Sequence, residues 1–118
     1  MSIWLRPIDI DTLNNFSAKT LVSHLGIIIT GSGDDYLEGT MPVDDRTVQP
    51  YRLLHGGASC VLAESLGSIA ASFCIDTNEY MAVGQHIEAT HLRSATKGEV
   101  KGRARAIHLG RSSQVWRI

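Results

Sequence analysis

A chain of 118 residues with 43% hydrophobic residues, 19% charged residues and a net charge of −1 is long enough for one core and too balanced to be disordered or membrane-spanning. It predicts a single domain over residues 1–118, short for an enzyme. Met1-Ser2-Ile3-Trp4-Leu5-Arg6-Pro7 has no basic start followed by an apolar stretch, so no secretory leader is expected, and Ile27-Ile28-Ile29 is far too short to cross a bilayer.

In chain order, Ile8 to Leu25 shows weak helical patterning through Ile10, Leu13, Phe16, Leu21 and Leu25, with Asp9 or Asp11 as possible caps. Gly26 ends it, and Ile27-Ile28-Ile29-Thr30 begins a β-branched strand. Gly31-Ser32-Gly33-Asp34-Asp35 reads as a turn and not as a phosphate loop, because two aspartates would repel the phosphates it should cradle. Tyr36 to Val43 is a second strand, with Leu37, Met41 and Val43 on one face and Glu38 and Thr40 on the other. The two strands make a hairpin. A loop, Pro42 to Leu54, leads into a long helix from Gly56 or Gly57 to about Phe73. Three strands then follow: roughly Met81–Leu92, Val100–Leu109 and Ser113 onward, separated by a hairpin turn at Ala95-Thr96-Lys97-Gly98 and a turn at Gly110-Arg111. The order β-β-α-β-β-β predicts an α+β layout, one long buried helix against an antiparallel sheet.

Between Leu53 and Ile75 the chain carries a single carboxylate, Glu64, and the helical run Ala58–Phe73 holds no other acid or base. A charge among apolar and small residues is costly unless something uses it, and a carboxyl kept from water is held nearer neutrality, which suits a general base or a poised nucleophile. At about 100° per residue, Ala58, Val61, Leu62, Ser65, Leu66, Ile69 and Phe73 form one broad stripe. Glu64 falls beyond its edge, on a narrower line with Gly57, Cys60, Ser68 and Ala71. That line is small and weakly polar, unlike a solvated face, and fits a ligand's thiol arm or a neighbouring subunit.

His55-Gly56-Gly57 opens the helix. Its first N–H groups lack internal partners and sit at the positive end of the dipole, so they can receive a developing oxyanion. Glycine lets a substrate carbonyl come close. Glu64 lies about 10 Å along the axis from Gly57, too far for both to touch one carbonyl in one subunit, so a site built from both needs two chains.

Other chemistries fit poorly. No pair of the five histidines shows a usual zinc spacing, and His86 and His91 would face opposite sides of a strand, so no metal or other cofactor is expected. Cys60 and Cys74 lie within or at the end of the helix without an adjacent base. Their separation of about 21 Å also forbids a disulfide within one subunit, which favours a reducing cytoplasm. Gly67-Ser68 lacks the serine-hydrolase frame. Residues 91–118 hold seven Lys or Arg against Glu99, whereas residues 1–90 hold four basic and eleven acidic residues. This asymmetry suggests a polyanionic partner for the last quarter of the chain, or a strand face dressed for solubility. Nucleic acid is not expected, since Trp116 is the only aromatic residue there and no binding motif is present. The remaining set, a carboxylate, a helix N-terminus and a basic region, suits hydrolysis of an activated acyl group on a phosphorylated carrier.

The segments Met41-Pro42-Val43-Asp44, Arg46-Thr47, Gln49-Pro50, Leu54-His55-Gly56-Gly57-Ala58-Ser59, Leu62-Ala63-Glu64-Ser65, Gly67-Ser68, His91-Leu92-Arg93-Ser94 and His108-Leu109-Gly110-Arg111 closely resemble the hotdog-fold acyl-CoA thioesterases. The resemblance is nearest to bacterial 1,4-dihydroxy-2-naphthoyl-CoA hydrolases, which act on menaquinone precursors, and to their proofreading relatives that clear misloaded aryl carrier proteins. It implies a helix wrapped by the sheet, sheets joined edge to edge in a homodimer that commonly pairs into a homotetramer, and active sites at the dimer interface. It implies Glu64 as nucleophile or general base, the Gly56 N–H as the group polarising the thioester carbonyl, Gln49 and His55 positioning substrate or water, and Ser68 supporting the acyl end. Gly84, His91, Leu92, Arg93 and Ser94, with His108, Leu109, Gly110, Arg111, Ser112 and Ser113, would line the acyl-CoA cleft. Such proteins continue past the position of Ile118, so the resemblance implies a sheet short of its last strand. The expected function is hydrolysis of an aromatic acyl-CoA by a cytoplasmic enzyme. A non-catalytic acyl-CoA binder is the alternative, and a hotdog dehydratase is disfavoured because only His55 lies near the helix.

Overall fold

The structure, a computed structural model, describes residues 1–118. Its elements are α1 (Ile10–Phe16), α2 (Leu21–His24), β1 (Ile28–Ser32), β2 (Tyr36–Pro42), α3 (Gly56–Ser72), β3 (Glu99–Leu109) and β4 (Gln114–Arg117). The four strands form one antiparallel sheet in the order β1-β2-β3-β4, and α3 lies across its inner face. The core forms between them: Leu37, Met41 and Ala104 of the sheet meet Ala58, Leu62, Leu66 and Ala70 of α3. This is the α+β, helix-on-sheet arrangement expected from the sequence. No helix is long and apolar enough to cross a membrane.

Alternation decides the two sheet faces. Leu37, Gly39 and Met41 point inward, and their register partners on β3 are Ala104, Gly102 and Val100. Gly39 and Gly102 are thus directly opposed, and a Cβ on either would come within 3.1 Å or 2.7 Å of a Leu66 δ-carbon. Their missing side chains form a notch that receives Leu66, which is fully buried. Burying a leucine contributes about 1.5–3 kcal/mol.

On the outer face Glu38 sits opposite Arg103 and diagonal to Lys101. Arg103 Nε and Nη2 donate to Glu38 Oε1, and Lys101 Nζ stands 3.4 Å from Oε2. Arg103 and Arg105 both lie over the Tyr36 ring. Hydrogen bonding from Arg103, with help from Lys101, holds the Glu38 carboxyl below its ordinary value of 4.5 despite the opposing effect of burial. A carboxyl depressed in the folded state stabilises fully above its unfolded pKa, and that contribution is lost as pH falls through the folded value. The stability gap between wild type and Glu38→Gln, followed by urea unfolding, is therefore expected to be widest above pH 4.5 and to close in acid. A gap independent of pH would contradict the ion-pair assignment.

Three expectations need correction. The helix read over Ile8–Leu25 is two short helices. Asp9 caps the first through its side chain, and Lys19, at φ 61°, breaks the path before Thr20 caps the second. Gly31 and Ser32 belong to β1, past a bulge, and not to the turn. Residues 81–92 form no strand: they are irregular and make no ladder hydrogen bonds, and Ala95–Gly98 is not a hairpin turn. The alternating pattern is genuine, but neither sheet edge receives this segment. Instead it runs antiparallel along α3, with Gly84 against Glu64 and His91 against Gly56. His86 and His91 therefore do not occupy opposite faces of a strand. Tyr80, Met81, Val83 and Leu92 are consequently exposed.

An unforeseen contact closes the far end of α3. Leu5 N donates to Phe73 O, Arg6 donates to Ser72 O while lying over the Phe73 ring, and Trp4 stacks on Trp116 with centroids 6.2 Å apart. Orphan carbonyls at the helix C-terminus gain a cation there.

Candidate active site

The start of α3 is held by the loop before it. Thr47, almost fully buried, donates from Oγ1 to Pro42 O, and its carbonyl accepts from His55 N at 2.8 Å. Asp44 binds the Arg46 backbone and guanidinium, which keeps the Asp44 carboxyl below the usual carboxylate range. His55 is the N-cap residue of α3. Its Nδ1 accepts from Gly57 N–H at 2.8 Å, and its carbonyl accepts from Ala58 N and Ser59 N. With those three donors engaged, the Gly56 N–H is the one group at the helix start that has no acceptor in the chain. It also stands at the positive end of a 17-residue helix. His91 faces it closely: a Cβ on Gly56 would lie 2.9 Å from His91 Nε2. Gln49, in the preceding loop, accepts from Tyr51 N through Oε1.

Two turns along, Glu64 is half-buried, and Ser68 Oγ donates to its Oε1 at 3.1 Å, an i to i+4 contact. Gly84 packs its bare Cα against the same oxygen, and any side chain there would overlap Oε1. Cys60, Glu64 and Ser68 lie along one edge of a cavity of about 790 Å³, within the usual range for small-molecule sites. Of the small, weakly polar line read from the sequence, Cys60, Glu64 and Ser68 border this cavity, whereas Gly57 does not and Ala71 is buried. The broad stripe divides: Ala58, Leu62 and Leu66 enter the core, joined there by Ala70 from outside the stripe, Val61 and Ile69 pack against the core and line the cavity with Ser65, and Phe73 lies at the helix end beneath Arg6.

The chain brings together two groups and keeps them apart. Glu64, Ser68 and Gly84 form one; His55, Gly56 and His91 form the other, about 12 Å away along the helix. Leu92, Arg93 and Ser94 continue from the second group as an exposed run. His108, Leu109, Gly110, Arg111, Ser112 and Ser113 make the β3–β4 turn, closed by Gly110 N donating to Ser113 O at 2.9 Å. That turn lies at the opposite end of β3 from the helix start, roughly 33 Å by strand rise. Within one chain these residues do not form a continuous cleft.

Sequence reasoning missed the cavity's other walls. Phe16 and Leu21 come from α1 and α2, and Ile87 from the irregular segment. The available signal was the Thr20–Ser23 capping box, which ends one helix path and turns the next.

The chain matches the Thioesterase superfamily over residues 51–118. It is 50% identical to the proofreading thioesterase EntH of Cronobacter sakazakii over 98% of this chain and 84% of that protein. The structure of thioesterase PA1618 from Pseudomonas aeruginosa, solved with a glutamine changed to alanine, superposes with a TM-score of 0.96 at 48% identity, covering 98% of this chain and 83% of that one. SAV0944 of Staphylococcus aureus superposes with TM-scores of 0.79 and 0.78 at 36% and 35% identity, over 81% of this chain and 79% of that one. One of those two structures carries a glutamate-to-alanine change and the other a glutamine-to-alanine change.

Proposed function

Since this chain belongs to the thioesterase superfamily, a hotdog-fold group, and is a thioester hydrolase, we propose that it cleaves an aromatic acyl-CoA to free acid and CoA at a site shared by two copies. The observation that carries this reading is the split along α3: a free N–H at Gly56 and a carboxylate at Glu64, each suited to one side of a thioester carbonyl and about 12 Å apart in one chain. In a homodimer, Gly56 of one copy and Glu64 of the partner subunit face the same carbonyl. The unpaired segment over residues 81–92 gives such a dimer a place to pair, and a homotetramer is the expected higher form.

In this mechanism the Gly56 N–H donates a hydrogen bond to the carbonyl oxygen as negative charge grows on it. Glu64 either attacks the carbonyl carbon, forming an acyl–Glu64 anhydride that water hydrolyses to the free acid once the thiolate has left, or removes the proton from the water that attacks and passes it to the departing sulfur. The C–S bond then breaks, and the thiolate leaves with a proton as CoA. Gln49 and His55 position substrate or water, and Ser68 holds the Glu64 carboxylate and borders the acyl end. Gly84, the run His91–Ser94 and the turn His108–Ser113, contributed by two subunits, line the path of the CoA. Their Arg93 and Arg111 suit its phosphates. The substituted glutamine and glutamate of the two SAV0944 structures lie fifteen positions apart, which is the spacing of Gln49 and Glu64, and this supports assigning both to the site. The whole chain acts as one domain, and the free Cys60 and Cys74 suit a reducing cytoplasm.

The test is a thiol-release assay on benzoyl-CoA, 1,4-dihydroxy-2-naphthoyl-CoA and an aryl-loaded carrier protein, run beside a CoA-binding measurement. Release from at least one aryl thioester, faster than from acetyl-CoA, is the expected result. Binding without release from any of them would favour a non-catalytic acyl-CoA binder.

A further inference from the structure

The two short N-terminal helices present a puzzle of placement. Neither contains a buried residue, and at seven and four residues neither is stable alone. Their attachment is nevertheless specific. Asn14 donates from Nδ2 to Ile29 O and accepts at Oδ1 from Ile29 N, both at 2.9 Å, and Ile10, Leu13 and Val22 pack against the core. Phe16 and Leu21 take no part in that packing and stand 87% and 56% exposed. Both instead line the cavity that Glu64 borders. Two large apolar side chains held in water at the mouth of a polar-edged cavity gain most from a ligand that covers them.

The lining itself says which part of a thioester enters. Val61, Ile69 and Ile87 extend the apolar surface, Glu64 and Ser68 are joined by Ser65, Gln85 and His86 as polar groups, and no lysine or arginine borders the cavity. A phosphate-bearing nucleotide finds no permanently charged cation there, His86 being the one basic group on the lining, whereas an uncharged acyl group meets an apolar wall. The volume of about 790 Å³ admits a ring, and the Phe16 phenyl offers a face or edge to it.

We propose that Phe16 and Leu21 determine acyl-group specificity, forming with Ile87 the apolar wall against which a ring-bearing acyl group packs while its carbonyl reaches Glu64. This rests on the thioesterase reading above.

Phenacyl-CoA, a thioether that cannot be hydrolysed, and free CoA serve as probes, their dissociation constants measured by calorimetry on wild type, Phe16→Ala and Leu21→Ala. Wild type is expected to bind phenacyl-CoA more tightly than CoA, and each substitution to shrink that advantage about tenfold, the lower end of what apolar pocket contacts contribute to discrimination. Unfolding midpoints should stay near wild type, because neither side chain serves the core. The proposal is overturned if wild type shows no advantage for phenacyl-CoA, or if the advantage survives both substitutions within twofold. Thiol release from benzoyl-CoA by wild type separates the two levels: release with an unaltered advantage sinks the assignment of Phe16 and Leu21 alone, and no release from any aryl thioester sinks the reading beneath it.

Discussion

Glu64→Gln is expected to lower kcat for thioester hydrolysis by about three orders of magnitude, within the range that loss of a positioned acid or base produces. The substitution keeps the size and shape of the side chain and leaves an amide oxygen able to accept from Ser68 Oγ, the contact that holds the carboxylate at 3.1 Å. It removes the charge and the basic or nucleophilic oxygen. The residue is half-buried at the cavity edge and outside the core cluster, so the unfolding midpoint is expected to change little. Single-turnover thiol release and thermal unfolding on the same preparation check both halves of the expectation. A folded variant that keeps turnover within tenfold of wild type would remove Glu64 from the chemistry.

Gly84→Ala is expected to cost about 100-fold in kcat while leaving the protein folded. The added methyl group would overlap Glu64 Oε1, so the carboxylate must swing away and lose its bond from Ser68. Displacing a reacting group by about 1 Å can cost this much in rate. Gly84 has no positive φ, so alanine strains no backbone there, and its segment carries no ladder whose loss would unfold the protein. The measurement is kcat and KM for the best aryl thioester beside an unfolding midpoint. A kcat within threefold of wild type would mean that Glu64 tolerates the shift, and the close packing seen at Gly84 would have no catalytic meaning.

The legible parts of this fold are those whose signal is local. The hairpin of β1 and β2 followed from β-branched runs and from the alternation of Leu37, Met41 and Val43, and α3 followed from Gly56-Gly57 and an apolar stretch bearing one charge. The line of Cys60, Glu64 and Ser68 was readable at helical spacing, because both the sequence and the cavity follow the same helix. Residues 81–92 misled because alternation reports two faces of an extended chain and carries no record of where a ladder partner lies. The break at Lys19 was hidden because Ile10, Leu13, Phe16, Leu21 and Leu25 continue an apolar series through it. Phe16 and Leu21 meet Ile87 at one cavity only through tertiary packing, and no local pattern encodes a meeting across some seventy residues.

The opposed pair Gly39 and Gly102 acts as a gauge for the chemistry, although neither glycine borders the cavity. Leu66 seated between them fixes the rotation of α3 about its own axis, and Glu64, two positions earlier, is turned about 200° from that anchor. The direction in which the acid points is therefore set on the far side of the helix, by two absent side chains. On the proposed mechanism, a side chain added at either sheet position would re-aim the carboxylate without touching the cavity.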